Sequence, residues 1–99
     1  MRLITKNKKI ASRIIEGKAF VVTPFDSTLH MFNPLATRIW QLLDKENRIE
    51  EIVKKICQEY EVDEKIARRD VNELINELEK KKIVEVTDPE RRNEISKHG

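Results

Sequence analysis

The chain has 99 residues and a formal net charge of only +2, so it has room for one domain and is a weak candidate for holding a polyanion by charge alone. Apolar and charged residues each make up 38%, which suits one small core under a heavily solvated surface, and two glycines in all favour helices with short connections over a loop-rich sandwich. A single cysteine excludes an intrachain disulfide. The basic start is not followed by an apolar run of about 7–15 residues, and no segment approaches the roughly 20 apolar residues of a membrane span. The expectation is a cytoplasmic, reducing setting without membrane insertion.

Residues 1–9 carry Arg2, Lys6, Lys8 and Lys9 without an acid. Such an arm can grip phosphates, but the reading adopted is a flexible, solubilising terminus. From Ile10 to Asn33 the pattern is β. "KIASRII" alternates loosely, "EGK" at Glu16 to Lys18 supplies a turn with Gly17 available for positive φ, and "AFVVT" is a β-branched and aromatic strand. "PFDS" at Pro24 to Ser27 is a second turn and "TLHMF" a third strand, which together make an antiparallel meander.

Asn33-Pro34 starts a helix, as a favoured cap followed by a favoured first residue. Leu35, Ala36, Ile39, Trp40, Leu42 and Leu43 continue at helical spacing to about Asp44. Asn47 is available to cap a second helix through Ile49, Ile52, Val53, Ile56, Cys57 and Tyr60. Cys57 within that repeat reads as a small buried hydrophobe. Asp63 caps a third helix with Ala67, Val71, Leu74, Ile75 and Leu78 on one stripe, and Lys80 to Lys82 suit its negative end. "IVEV" can add a short strand before a polar tail. The fold class is therefore α+β: a three-stranded antiparallel β-meander followed by three helices, winged-helix-like. The domain spans residues 10–86, between the arm at 1–9 and the tail at 87–99.

Catalytic chemistry has no foothold in this pattern. His30 lies on a strand, His98 in the tail and Cys57 on a helix, so no zinc-ligand spacing or nucleophile–base pair is formed. No glycine-rich phosphate loop is present. The expectation is a binding module that is not an enzyme and has no cofactor or metal.

A winged helix commonly reads DNA through its third helix. Here that helix, with its capping ends from Asp63 to Lys82, carries six basic and six acidic residues, and Asp70, Glu73 and Glu77 fall together on one flank. Affinity for duplex DNA comes largely from cations neutralising phosphates, so this helix is a poor reader, and a DNA-binding winged helix is the second-ranked alternative. The flank suits a peptide better. "TLHMF" is short, apolar on both faces and free of Lys, Pro or acid that would block an edge. Beside the third helix it would offer strand addition, in which main-chain bonds give affinity and side-chain pockets give specificity.

Three blocks of sequence also carry a resemblance: "FNPLATRIWQLLD", "RIEEIVKKICQEYEVD" and "ARRDVNELINELEKKKIV". In that order and spacing the chain resembles the PqqD-like family, also called RiPP recognition elements. Asn33, Ala36, Ile39, Trp40, Leu42, Leu43 and Asp44 match the first block. Glu51, Ile52, Val53, Tyr60 and Val62 match the second, and Asp70, Val71, Leu74, Ile75, Leu78, Ile83 and Val84 the third. Lys45 and Lys82 stand where the family usually has Gly, and Arg48 where it has a capping Thr; these departures concern helix ends. The resemblance implies a winged helix that binds the leader segment of a ribosomally made precursor peptide as an extra antiparallel strand, clamped by the third helix. It also implies presentation of that peptide to a modifying enzyme, often a radical-SAM maturase. On this reading Thr28, Leu29, His30, Met31 and Phe32 pair with the peptide and Ile66 and Leu74 form an apolar wall. Asp70 and Glu73 hold basic residues or amides, and Arg69 answers acidic ones. Which face of the third strand lines the groove is left open.

Overall fold

The elements follow in the order β1 (Leu3–Lys6), β2 (Ala11–Ile15), β3 (Lys18–Thr23), β4 (Thr28–Met31), α1 (Pro34–Leu42), α2 (Ile49–Tyr60), α3 (Glu64–Lys80) and β5 (Val84–Thr87) in the computed structural model, which describes residues 2–87. The strands form two sheets: a meander β2-β3-β4 and a separate ribbon β1-β5.

The meander follows from its two turns. Glu16 and Gly17 both take positive φ, 50° and 78°, which matches the right-handed twist of the flanking strands and sets Ile15 opposite Lys18. The next turn is held by Asp26, whose carboxylate accepts from the Thr23 hydroxyl and, at 3.2 Å, from the Thr28 amide. Those bonds, the Thr23 hydroxyl foremost, hold the Asp26 carboxyl below its ordinary range, so it is ionised at neutral pH and keeps the turn tied.

Each helix start has its own chemistry. The Asn33 side chain accepts from the Ala36 amide at 2.8 Å, with Pro34 in the first turn, as the sequence predicts. Asp63 caps α3 by accepting from the Lys65 amide at 3.3 Å. The expectation for α2 needs correction. Its cap is Arg48, without a side-chain cap bond. The Arg48 amide is satisfied by the Glu46 carboxylate at 3.0 Å, and the Asn47 carbonyl instead accepts from Ile4 at 2.7 Å. Of the two lysines at family glycine positions, only Lys82 is left-handed, at φ 62°. A lysine in place of Gly there costs about 1 kcal/mol.

The core lies where the helices meet the meander. Ile39 and Trp40 of α1, Ile52, Val53 and Ile56 of α2, and Val71, Ile75 and Leu78 of α3 close over Ala19 and Val21 of β3. Cys57 is half-buried against this cluster. Across the helix surfaces, Arg38 makes two 2.7 Å bonds to Glu59, and Arg68 meets Glu50 at 2.6 Å.

Residues 1–9 are not the free arm expected from their charge. Leu3 to Lys6 pair antiparallel with Thr87 to Val84, and Ile4 is 1% exposed within the core. The local pattern is too short to show a strand whose partner lies at the far end of the domain. The expected final strand is present as β5, while most of the expected tail, from residue 88 onward, lies outside the described residues.

Thr37 is the joint between helices and meander. It is buried, its hydroxyl oxygen accepts from the Ala19 amide at 2.8 Å, and its proton is directed at the Phe32 carbonyl, 3.4 Å away. Thr37→Val keeps the shape but orphans the fully buried Ala19 amide. Urea denaturation is expected to show a loss of about 1–3 kcal/mol, largely recovered in Thr37→Ser.

Candidate peptide-binding site

The site begins with a free strand edge. In the meander β4 pairs only with β3, so its other side has no strand partner. The Phe32 amide donates to the Ala19 carbonyl at 2.8 Å. Because antiparallel bonding alternates, Phe32 and His30 turn their backbone groups toward β3, while Leu29 and Met31 turn theirs to the open edge. Side chains sort just as clearly. His30 stands opposite buried Val21, and its ring lies 3.3 Å from the Thr23 hydroxyl. Phe32 continues that inward face, 6% exposed, with its ring edge-on to Trp40 at 5.7 Å. Leu29 and Met31 stand opposite Val22 and Phe20 on the outer face, 61% and 62% exposed. His30 and Phe32 thus point inward and Leu29 and Met31 outward, and residues of both faces, His30, Met31 and Phe32, border the adjoining cavity.

Facing this edge is α3. Two adjoining cavities run between them. The first, about 220 Å³, lies between His30, Met31 and Phe32 on one side and Leu74, Glu77, Leu78 and Lys81 on the other. The second, about 210 Å³, lies between the start of α1, at Leu35, Ala36 and Ile39, and Asp70, Glu73 and Leu74 of α3. Asn33, Ala36, Leu74 and Glu77 border both, so the two form one groove. The α3 positions repeat at helical spacing and make a single face.

The groove's charge changes along its length. At the first cavity Glu77 is paired with Lys81 at 3.0 Å. At the second the rim is acidic, and Asp70 has only its exposed neighbour Arg69, 3.5 Å away. Among the described residues no cation lies within pairing distance of Glu73, and no group of three or more His, Cys, Asp or Glu could hold a metal ion.

Of the residues singled out by sequence, the structure gathers His30, Met31, Phe32, Asp70, Glu73 and Leu74 around the groove. Thr28 and Leu29 lie further along the same edge. Ile66, 44% exposed, and Arg69 border neither cavity, since they sit nearer the start of α3 than the groove reaches. Sequence reasoning missed the contribution of α1. Asn33 reads as a cap and Ala36 as core, and both roles are correct, yet each also borders the groove. Glu77 belonged to the acidic flank and could have been named from its spacing alone.

A three-stranded sheet whose β4 edge is unpaired, facing a helix across a groove with apolar floor and charged rim, defines a winged-helix-like recognition domain. The chain belongs to the PqqD family: the model described as "Coenzyme PQQ synthesis protein D (PqqD)" matches residues 19–84. Among solved structures it is similar to TbiB1 in complex with the TbiA(beta) leader peptide, at 30% identity and a TM-score of 0.78, covering 82% of this chain and 94% of that one. It is also similar in fold to a lasso peptide synthetase B1 complexed with the leader peptide, at 18% identity and TM-score 0.75, over 83% and 96% of the two chains. A third similar structure is the solution structure of the PqqD truncation of Methylobacterium extorquens PqqCD, representing a stand-alone RiPP recognition element, at 20% identity and TM-score 0.69, over 84% and 88%. Comparison with curated protein sequences finds no match.

Proposed function

We propose that this domain binds the leader segment of a ribosomally synthesised precursor peptide as an added strand on β4, and presents it to a separate modifying enzyme. The observation that carries this reading is the open edge at Leu29 and Met31, turned toward a groove whose other wall is α3. Main-chain bonds to that edge supply affinity for any extended segment, and the two cavities select its side chains. Membership of the PqqD family and the leader peptides bound to TbiB1 and to the lasso peptide synthetase B1 support the same reading. The domain acts by holding and positioning its peptide, with catalysis left to the partner, for which a radical-SAM maturase is the class the family suggests. Within the domain, Thr28 to Phe32 form the pairing edge, and Leu74, Asp70 and Glu73 form the wall. Among the described residues no helix is long and apolar enough to cross a membrane, and we infer a cytoplasmic setting.

DNA reading is disfavoured by the same groove. The side of α3 that borders the groove carries Asp70, Glu73 and Glu77, with Lys81, just past the helix, as the one cation lining it among the described residues. An NMR titration of labelled protein at low and moderate salt separates the two readings. The ligands are a peptide matching the leader of a short precursor encoded beside the gene, and random duplex DNA. Shifts concentrated at Thr28 to Phe32 and Asp70 to Lys81, with the peptide only, are expected. Salt-sensitive shifts with DNA, and none with peptide, would overturn the proposal.

A further inference from the structure

We infer that the bound segment carries a long basic side chain, lysine or arginine, on the N-terminal side of the residues that pair with β4, and that this side chain fills the cavity between α1 and α3. The inference rests on the groove being a peptide site and adds to it the chemistry of what is read there.

Size comes first. At about 210 Å³ this cavity is smaller than the roughly 300–1,000 Å³ typical of small-molecule and cofactor sites, so it suits one side chain. Its chemistry is divided. Leu35, Ile39 and Leu74 supply an apolar floor, while Asp70, Glu73 and Glu77 stand around it. A purely apolar side chain would leave Glu73 without a counterion among the described residues, and a short polar one would not cover the floor. Lysine and arginine do both, laying an aliphatic stem on apolar surface and carrying the charge to its rim. The acids are only partly engaged by the chain's own cations. Glu77 has Lys81 at 3.0 Å, Asp70 has only the half-exposed contact with its neighbour Arg69 at 3.5 Å, and Glu73 has none among the described residues. The adjoining cavity differs: there the Glu77–Lys81 pair balances its own charge beside Phe32, Leu74 and Leu78. That cavity takes an apolar residue.

Direction follows from the order of elements along the groove. From His30 through Phe32 and Asn33 into α1, the facing positions on α3 run backward, from Leu78 and Lys81 to Asp70. A strand added antiparallel to β4 runs the other way. Its earlier residues therefore lie over the acidic cavity and its later ones beside β4. The basic residue comes first and the apolar one shortly after.

The test uses the whole protein and a positional-scanning library of short acetylated peptides, with edge pairing checked by Met31→Pro. Wild type is expected to retain peptides with Lys or Arg preceding an apolar, strand-forming run. A selected lysine peptide should bind the Asp70→Asn/Glu73→Gln variant about fivefold more weakly. Its norleucine counterpart, which keeps the stem without the charge, should bind both proteins alike. Glu73→Lys should move the preference at that position to Asp or Glu. Both altered residues are at least partly exposed, and circular dichroism confirms that each variant is folded. Selection of strand-forming peptides without a basic preference, or a preference that survives in the double variant, overturns this inference and leaves the peptide site standing. Failure of wild type to retain any peptide overturns both.

Discussion

A Met31→Pro variant is expected to fold normally and to lose most of its affinity for the leader peptide. Met31 turns its amide to the open edge, so proline removes a donor the domain itself does not use. Proline is tolerated on edge strands for the same reason. An added strand loses one hydrogen bond, worth about 0.5–1.5 kcal/mol net, and also meets the proline ring where its own backbone should lie. Peptide affinity should fall by roughly tenfold or more, read by fluorescence anisotropy with a labelled leader, while the urea midpoint hardly moves. The neighbouring His30→Pro provides the contrast. That amide faces β3, so the variant breaks the internal ladder and destabilises the meander itself. A folded Met31→Pro protein with undiminished affinity would show that the peptide does not pair at this edge.

Trp40→Ala is expected to have the largest effect on stability, about 3–5 kcal/mol. This is a large share of the roughly 5–15 kcal/mol available to a domain of this size. The ring is 3% exposed and contacts from three other parts of the chain converge on it. It lies edge-on to Phe32, its indole N–H donates to the Ser12 hydroxyl of β2 at 3.2 Å, and the Lys6 ammonium of β1 sits 4.0 Å from its ring centre. Removing it opens a cavity from α1 to both sheets and frees Phe32, which borders the groove, so peptide affinity should fall as well. Denaturation in urea followed by far-ultraviolet circular dichroism measures the first effect. A loss below about 1 kcal/mol would mean that neighbouring side chains collapse into the space. Trp40→Phe, which keeps most of the apolar volume, should recover the greater part.

The helices and their stripes were legible in the sequence because their periodicity is local and two of their three caps, Asn33 and Asp63, are unambiguous. The meander was legible from its turn residues. What escaped depends on partners distant in the chain. β1 could not be seen because Leu3 to Lys6 become a strand only opposite β5. Asn47 looks like a cap, yet its carbonyl is drawn to Ile4 and Glu46 does the work at the helix start. Half the groove could be read because edge chemistry and an acidic flank are properties of single elements. The other half could not, because nothing local says that Leu35 and Ile39 cross α3 at the height of Asp70 rather than of Ile66.

The ribbon of β1 and β5 has a consequence for the order of folding. The other strand pairs join neighbours in the chain, whereas Leu3 must find Thr87 after nearly the whole domain has been threaded between them. Closing so long a loop is slow until the intervening segments are already compact. The meander and three helices are therefore expected to condense before the ribbon pairs. The family match, residues 19–84, leaves β1 outside, and β4, α1 and α3 form the groove without it. Loss of pairing in the ribbon would separate the two ends of the domain, whereas the elements that line the groove all come from the segment between them.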